Sequence, residues 1–135
     1  MEAEERERVA RQFALGEEMR AAGNAAMAQG DHEAALRSYK QALQELTMVG
    51  NEPENRARAE EATKALHLNL ALACLKMQRY AEVKEHTASV LVADPASVKA
   101  LYRRGVAEAS LARAAALFQE GEARAAIADF EALLA

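Results

Sequence analysis

Apolar residues recur at intervals of three and four along most of the chain, and this period predicts helices almost throughout. Gly30-Asp31 breaks the first stretch. Asp31 is suited to cap a helix carrying Ala34, Ala35, Tyr39, Ala42, Leu43 and Leu46, so residues about 17–48 read as a helical hairpin. The segment MVGNEPEN gathers Gly, Asn and Pro and reads as a long connection, about 50–60. A helix then runs from near Pro53 to about Met77, and Gln78-Arg79 forms a short turn. The next helix passes from Tyr80 through Val83, Val90 and Leu91 to Asp94, which Pro95 disfavours from helical geometry. Pro95 suits the first turn of a further helix through Val98, Leu101, Tyr102 and Val106. Gly121 punctuates a last helix carrying Ile127, Phe130, Leu133 and Leu134, which completes a third hairpin. The fold class is all-α.

Superposing the hairpins exposes a repeat. Gly23, Ala71 and Gly105 share the small-residue slot of each first helix, where two helices approach closely. Ala35, Val83 and Ala126 match in the second helices, followed by Tyr39, Thr87 and Phe130, and then by Ala42, Val90 and Leu133. The second and third small slots lie 34 residues apart, whereas the first two are separated by 48, an insertion of about 14 around Gly50 to Glu60. About nine extra residues in SLARAAALFQ are expected to lengthen the first helix of the third hairpin. The repeats are placed at about 16–49, 64–97 and 98–135, within one domain of 135 residues.

Composition agrees with close helix packing. Hydrophobic residues make up 51% of the chain but aromatics only 4%, and there is no tryptophan. Alanine supplies roughly a quarter, so much of the apolar share comes from a small side chain. A formal charge of −4 argues against bulk nucleic-acid binding. The single cysteine, Cys74, has no partner for an internal disulfide and suits a reducing compartment. The charged start MEAEERERVARQ lacks a secretory apolar stretch, and no run is long enough to span a membrane. The expectation is a cytoplasmic protein, or a nuclear one.

The segments RAAGNAAMAQGDHEAALRSYKQAL, LHLNLALACLKMQRYAEV and DPASVKALYRRGVAEA resemble the tetratricopeptide-repeat domains of co-chaperones, whose period is 34 residues. The long first connection and EVKEHTASVLVADPASVKALYRRG are similar to those of large FK506-binding immunophilins and the aryl-hydrocarbon-receptor-interacting protein, and other small tetratricopeptide proteins share them. The resemblance implies a right-handed superhelix of three hairpins that binds the Glu-Glu-Val-Asp tail of heat shock protein 90, and of heat shock protein 70, through a two-carboxylate clamp. The clamp positions fall on Arg20, Asn24, Asn69, Lys99 and Arg103. Arg20 stands where the family usually has lysine and presents a planar fork instead of a compact ammonium.

The spacing of these residues is consistent with that role. Arg20 and Asn24 are four apart, as are Lys99 and Arg103, so each pair shares a helix face, and stacked hairpins line their first helices along a concave surface. Charge-assisted hydrogen bonds of about 1.5 to 3 kcal/mol each, less ordering costs, suggest a dissociation constant around micromolar. Taken singly, each of the five reads as an ordinary solvated side chain.

Other residues carry less. Cys74 reads as a small core residue with no base beside it, and Glu82 with His86, one turn apart, as a solvated helix face and not a metal site. No catalytic motif, metal set or cofactor fingerprint occurs, so the expectation is a non-enzymatic binding module without cofactors. The N-terminal run EAEERERVARQ reads as a helical lead-in. The sequence stops at Leu133-Leu134-Ala135 without a complete C-terminal capping helix, which reads as a truncated piece or an end covered by another molecule. Competing readings are a generic repeat scaffold binding another peptide or helix, and a domain that self-associates through that end.

Overall fold

A computed structural model describes residues 2–134. Five helices follow one another: α1 (Ala3–Ala28), α2 (His32–Leu46), α3 (Pro53–Lys76), α4 (Tyr80–Ala93) and α5 (Val98–Leu134). Each packs on its neighbours in sequence, and α3 also packs on α5. The result is a stack of antiparallel helices, all-α as its periodicity predicts.

The first two hairpins close with the same backbone device. Gly30, at φ +77°, reverses the chain after α1, and the Asp31 N–H donates to the Ala26 carbonyl at 2.9 Å. Asp31 then caps α2 by accepting from the Ala34 N–H at 3.1 Å. Between α3 and α4, Gln78 holds φ at 60°, and Arg79 N–H donates to the Cys74 carbonyl at 2.9 Å. A glutamine there bears the left-handed strain that glycine avoids.

The core follows the repeat register. Ala35, Leu36, Tyr39 and Ala42 from α2 and Leu66, Leu70, Ala71 and Cys74 from α3 are buried, with Val83 of α4 against them. Fully burying a leucine such as Leu70 contributes about 1.5 to 3 kcal/mol. Gly23 admits Tyr39 so closely that an added Cβ would lie 2.6 Å from the ring Cδ1. That contact gives the small slot its physical reason.

Three expectations change. The connection is shorter than 50–60, because Pro53 starts α3 and the inserted residues lengthen its N-terminal end as helix. Val49 in that connection is buried. Pro95 lies ahead of α5 rather than in its first turn; Ser97 caps the helix, its Oγ accepting from Ala100 N–H at 3.3 Å. The third hairpin does not close: α5 continues through Gly121 as one helix of 37 residues. The alanine-rich run ahead of Gly121 favours helix, and a glycine inside a helix costs only about 1 kcal/mol. Gly105 consequently faces open space, and Phe130 and Leu133, matched to core positions of α2 and α4, are exposed.

Candidate functional site

The five clamp candidates lie on the first helices of the repeats, Arg20 and Asn24 on α1, Asn69 on α3, Lys99 and Arg103 on α5. Arg20 lines a cavity of about 210 Å³ between α1 and α3, together with Phe13, Gly16, Glu17, Ala62 and Leu66. Above Phe13, the Arg58 guanidinium sits 3.9 Å from the ring centroid, a cation–π contact between the same two helices.

Asn24 is exposed but held. The Tyr39 hydroxyl donates to its Oδ1 at 2.6 Å, which leaves the side-chain amino group as the donor available to a ligand. Burial pushes the Tyr39 phenol above its ordinary pKa, partly offset by the charge of Arg20. Arg20 itself is engaged: Nε donates to Glu17 Oε2 at 3.0 Å, and Nη2 pairs with Oε1 of the same carboxylate. This hydrogen bonding lowers the pKa of Glu17 and raises that of Arg20. Any incoming carboxylate at Arg20 therefore competes with Glu17.

On the other side, Arg103 Nη1 donates to the Leu68 carbonyl at 2.7 Å, which fixes the guanidinium against the turn of α3 that carries Asn69. Burial lowers its pKa, but arginine remains charged. Lys99 is exposed and has no ion-pair partner among the described residues. Asn69 is half-buried.

Sequence reasoning missed Glu17, Tyr39 and the Leu68 carbonyl as partners of the site. Glu17 was visible three residues before Arg20, the spacing of a helical ion pair. The other two contacts cross between helices and have no local signal.

The α3–α4 seam also departs from expectation. Glu82 and His86 are half-buried and not on a solvated face, and they meet Cys74, which is buried as expected. The Cys74 Sγ–H points to Glu82 Oε2 at 3.8 Å. Burial, then the charge and hydrogen bonding of Glu82, push the thiol pKa up to about 11. His67 Nδ1 lies 3.1 Å from His86 Nδ1, with ring centroids 5.3 Å apart. Burial lowers the pKa of both imidazoles, and for His86 the charges of His67 and Lys40 add to it.

A larger cavity of about 350 Å³ lies away from the clamp residues, between the α2–α3 connection, the start of α3 and the end of α4, with Val49, Ala59, Thr63 and His67 in its wall. Among the described residues, no helix is long and apolar enough to cross a membrane.

No family model matches the chain. It is 36% identical over 92 residues, 67% of its length, to the peptidyl-prolyl cis-trans isomerase PASTICCINO1 of Arabidopsis thaliana, but spans only 14% of that protein. It is 37% identical over 99 residues, 73% of its length, to the human FK506-binding protein-like, of which it spans 26%. Its fold is similar to the C-terminal TPR-containing domain of an FK506-binding protein from Plasmodium falciparum, with a TM-score of 0.63 and 30% identity, covering 76% of this chain and 67% of that one.

Proposed function

This chain belongs to the tetratricopeptide-repeat domains of the kind carried by FK506-binding proteins, and on that premise we propose that it is a non-catalytic interaction module whose concave face clamps the acidic C-terminal tail of heat shock protein 90 or 70. Isomerase activity belongs to the name of a much longer relative, of which the matched stretch is a small share.

The observation that carries the reading is the Asn24 amide. Its carbonyl is taken by Tyr39, so the group left for a ligand is a donor, as a bound main-chain carboxylate requires. Arg20 and Asn69 share the carboxylate with it. Lys99 engages an acidic side chain of the tail, with Arg103 assisting. The expected occupant is an extended peptide with a free C-terminus, and the setting is the cytoplasm or the nucleus.

Titration calorimetry with a peptide ending Glu-Glu-Val-Asp, as free acid and as C-terminal amide, tests this at low and moderate salt. Binding of the free acid near micromolar, with loss on amidation, supports the clamp. Equal binding of both forms points to a generic repeat groove, and binding of neither removes the chaperone reading.

A second reading, self-association through α5, is favoured by the exposure of Leu117, Phe118, Ile127 and Phe130, each more than half exposed. It predicts a mass that rises with protein concentration in sedimentation and is indifferent to added tail peptide.

A further inference from the structure

The seam between α3 and α4 carries a set of metal-ligating side chains that the groove does not use. Cys74 is fully buried on α3, and Glu82 and His86, one turn apart on α4, project toward it from the facing helix. One ligand atom from each, a thiol sulfur, a carboxylate oxygen and an imidazole nitrogen, lie within 4.8 Å of one another. His67, two turns before Cys74 on the same face of α3, meets His86 ring to ring, its Nδ1 3.1 Å from that of His86. Two imidazole nitrogens at that distance share a single hydrogen.

We propose that Cys74, Glu82 and His86 form a binding site for a divalent transition metal ion of the zinc class, with His67 orienting the His86 ring. The donor set decides the class: sulfur, nitrogen and oxygen together suit a borderline-soft ion, whereas calcium and magnesium take oxygen. Zinc bonds of about 2.0 to 2.3 Å place tetrahedral ligands about 3.3 to 3.8 Å apart. The Cys74–Glu82 separation of 3.8 Å is already at that limit, so closure asks for small side-chain movements. A thiolate and a carboxylate balance the charge of the ion, which a half-buried seam requires. The charges of Lys40 and Arg79 lower the thiol pKa and so favour the thiolate that would ligate. Three protein ligands leave a fourth position for water or for a group from a partner. His67 has the place of the outer hydrogen-bonding group that fixes a ligating histidine. Because the ligands come from both helices, the ion would staple the second hairpin across the strained Gln78 turn.

The site is independent of the tail-binding reading and is tested apart from it. The full chain, stripped with chelator and kept reduced, is titrated with Co²⁺ and then Zn²⁺ against a chromophoric chelator, while circular dichroism follows its melting. The expected result is one equivalent of Co²⁺ giving visible bands of tetrahedral intensity and a thiolate-to-cobalt charge-transfer band, displacement by Zn²⁺, and a higher melting temperature with metal. Glu82→Gln and His86→Ala should each weaken Zn²⁺ binding at least about tenfold, and His67→Ala about ten- to a hundredfold. His32→Ala, outside the ligand set, should leave it unchanged. Cobalt binding without a thiolate band overturns the proposal, as does an affinity unchanged in Glu82→Gln while that variant keeps the helicity of the parent. Absence of any bound equivalent overturns it as well.

Discussion

The Tyr39 hydroxyl lies 2.6 Å from the Asn24 side-chain carbonyl, joining a core aromatic of α2 to an exposed amide of α1. One residue earlier, Gly23 leaves the space that the same ring fills. A packing position and a proposed ligand position are thereby coupled across the first hairpin. Tyr39→Phe keeps the ring and removes the donor. The expected loss is about 0.5 to 1.5 kcal/mol of stability by urea denaturation, with a severalfold weaker tail peptide by calorimetry. Asn24→Ala should abolish tail binding and cost at least as much stability, because it leaves the Tyr39 hydroxyl without its acceptor.

Burial of the same phenol sets an alkaline limit. The Tyr39 phenol has a folded pKa above its ordinary value, so its neutral form is favoured by folding. Its contribution is fully present below the unfolded value near 10 and is lost as pH rises through the higher folded value. Melting temperatures measured from pH 8 to 11.5 (about the range where tyrosine titrates) should fall more steeply in the parent than in Tyr39→Phe. Parallel curves would break this linkage.

Glu17 occupies the guanidinium that a ligand would need. Glu17→Gln frees Arg20 and should tighten a free-acid tail severalfold, with a steeper dependence on salt. Arg20→Ala should remove that gain. If Glu17→Gln leaves affinity unchanged, Arg20 takes no part in binding.

Two glycines in matched slots should respond with opposite signs. Gly23→Ala drives a methyl into the Tyr39 ring and is expected to cost about 1 to 3 kcal/mol. Gly105→Ala meets nothing within 4 Å and should gain up to about 1 kcal/mol from helix propensity. Equal effects in thermal melts would contradict the open third slot.

The basic pair on α5 divides its roles. Lys99→Ala should weaken tail binding at least about tenfold, as expected for one lost charge-assisted bond, and leave the melting temperature unchanged. Arg103→Ala should lower both, because it also removes the half-buried hydrogen bond that ties α5 to α3 at the Leu68 carbonyl. An Arg103→Ala variant that melts like the parent would show that this contact between α5 and α3 adds no stability.

The sequence by itself determined the helices, the first two hairpins and the family resemblance. These follow from a 3.6-residue period, from Asp31 as a cap and from Gly30 and Pro95 as interruptions, all of which act over a few neighbouring residues. It also placed the five clamp candidates on first helices, a matter of register. It could not decide whether Gly121 would break α5: alanine propensity and a missing helix partner outweigh one glycine, and the repeat pattern alone does not weigh them. Only the tertiary structure set Tyr39 against Asn24, Arg103 against the Leu68 carbonyl, and Cys74 with Glu82 and His86. Those contacts join residues on different helices, where the side-chain directions and the distance between packed backbones, not spacing along the chain, fix what touches what.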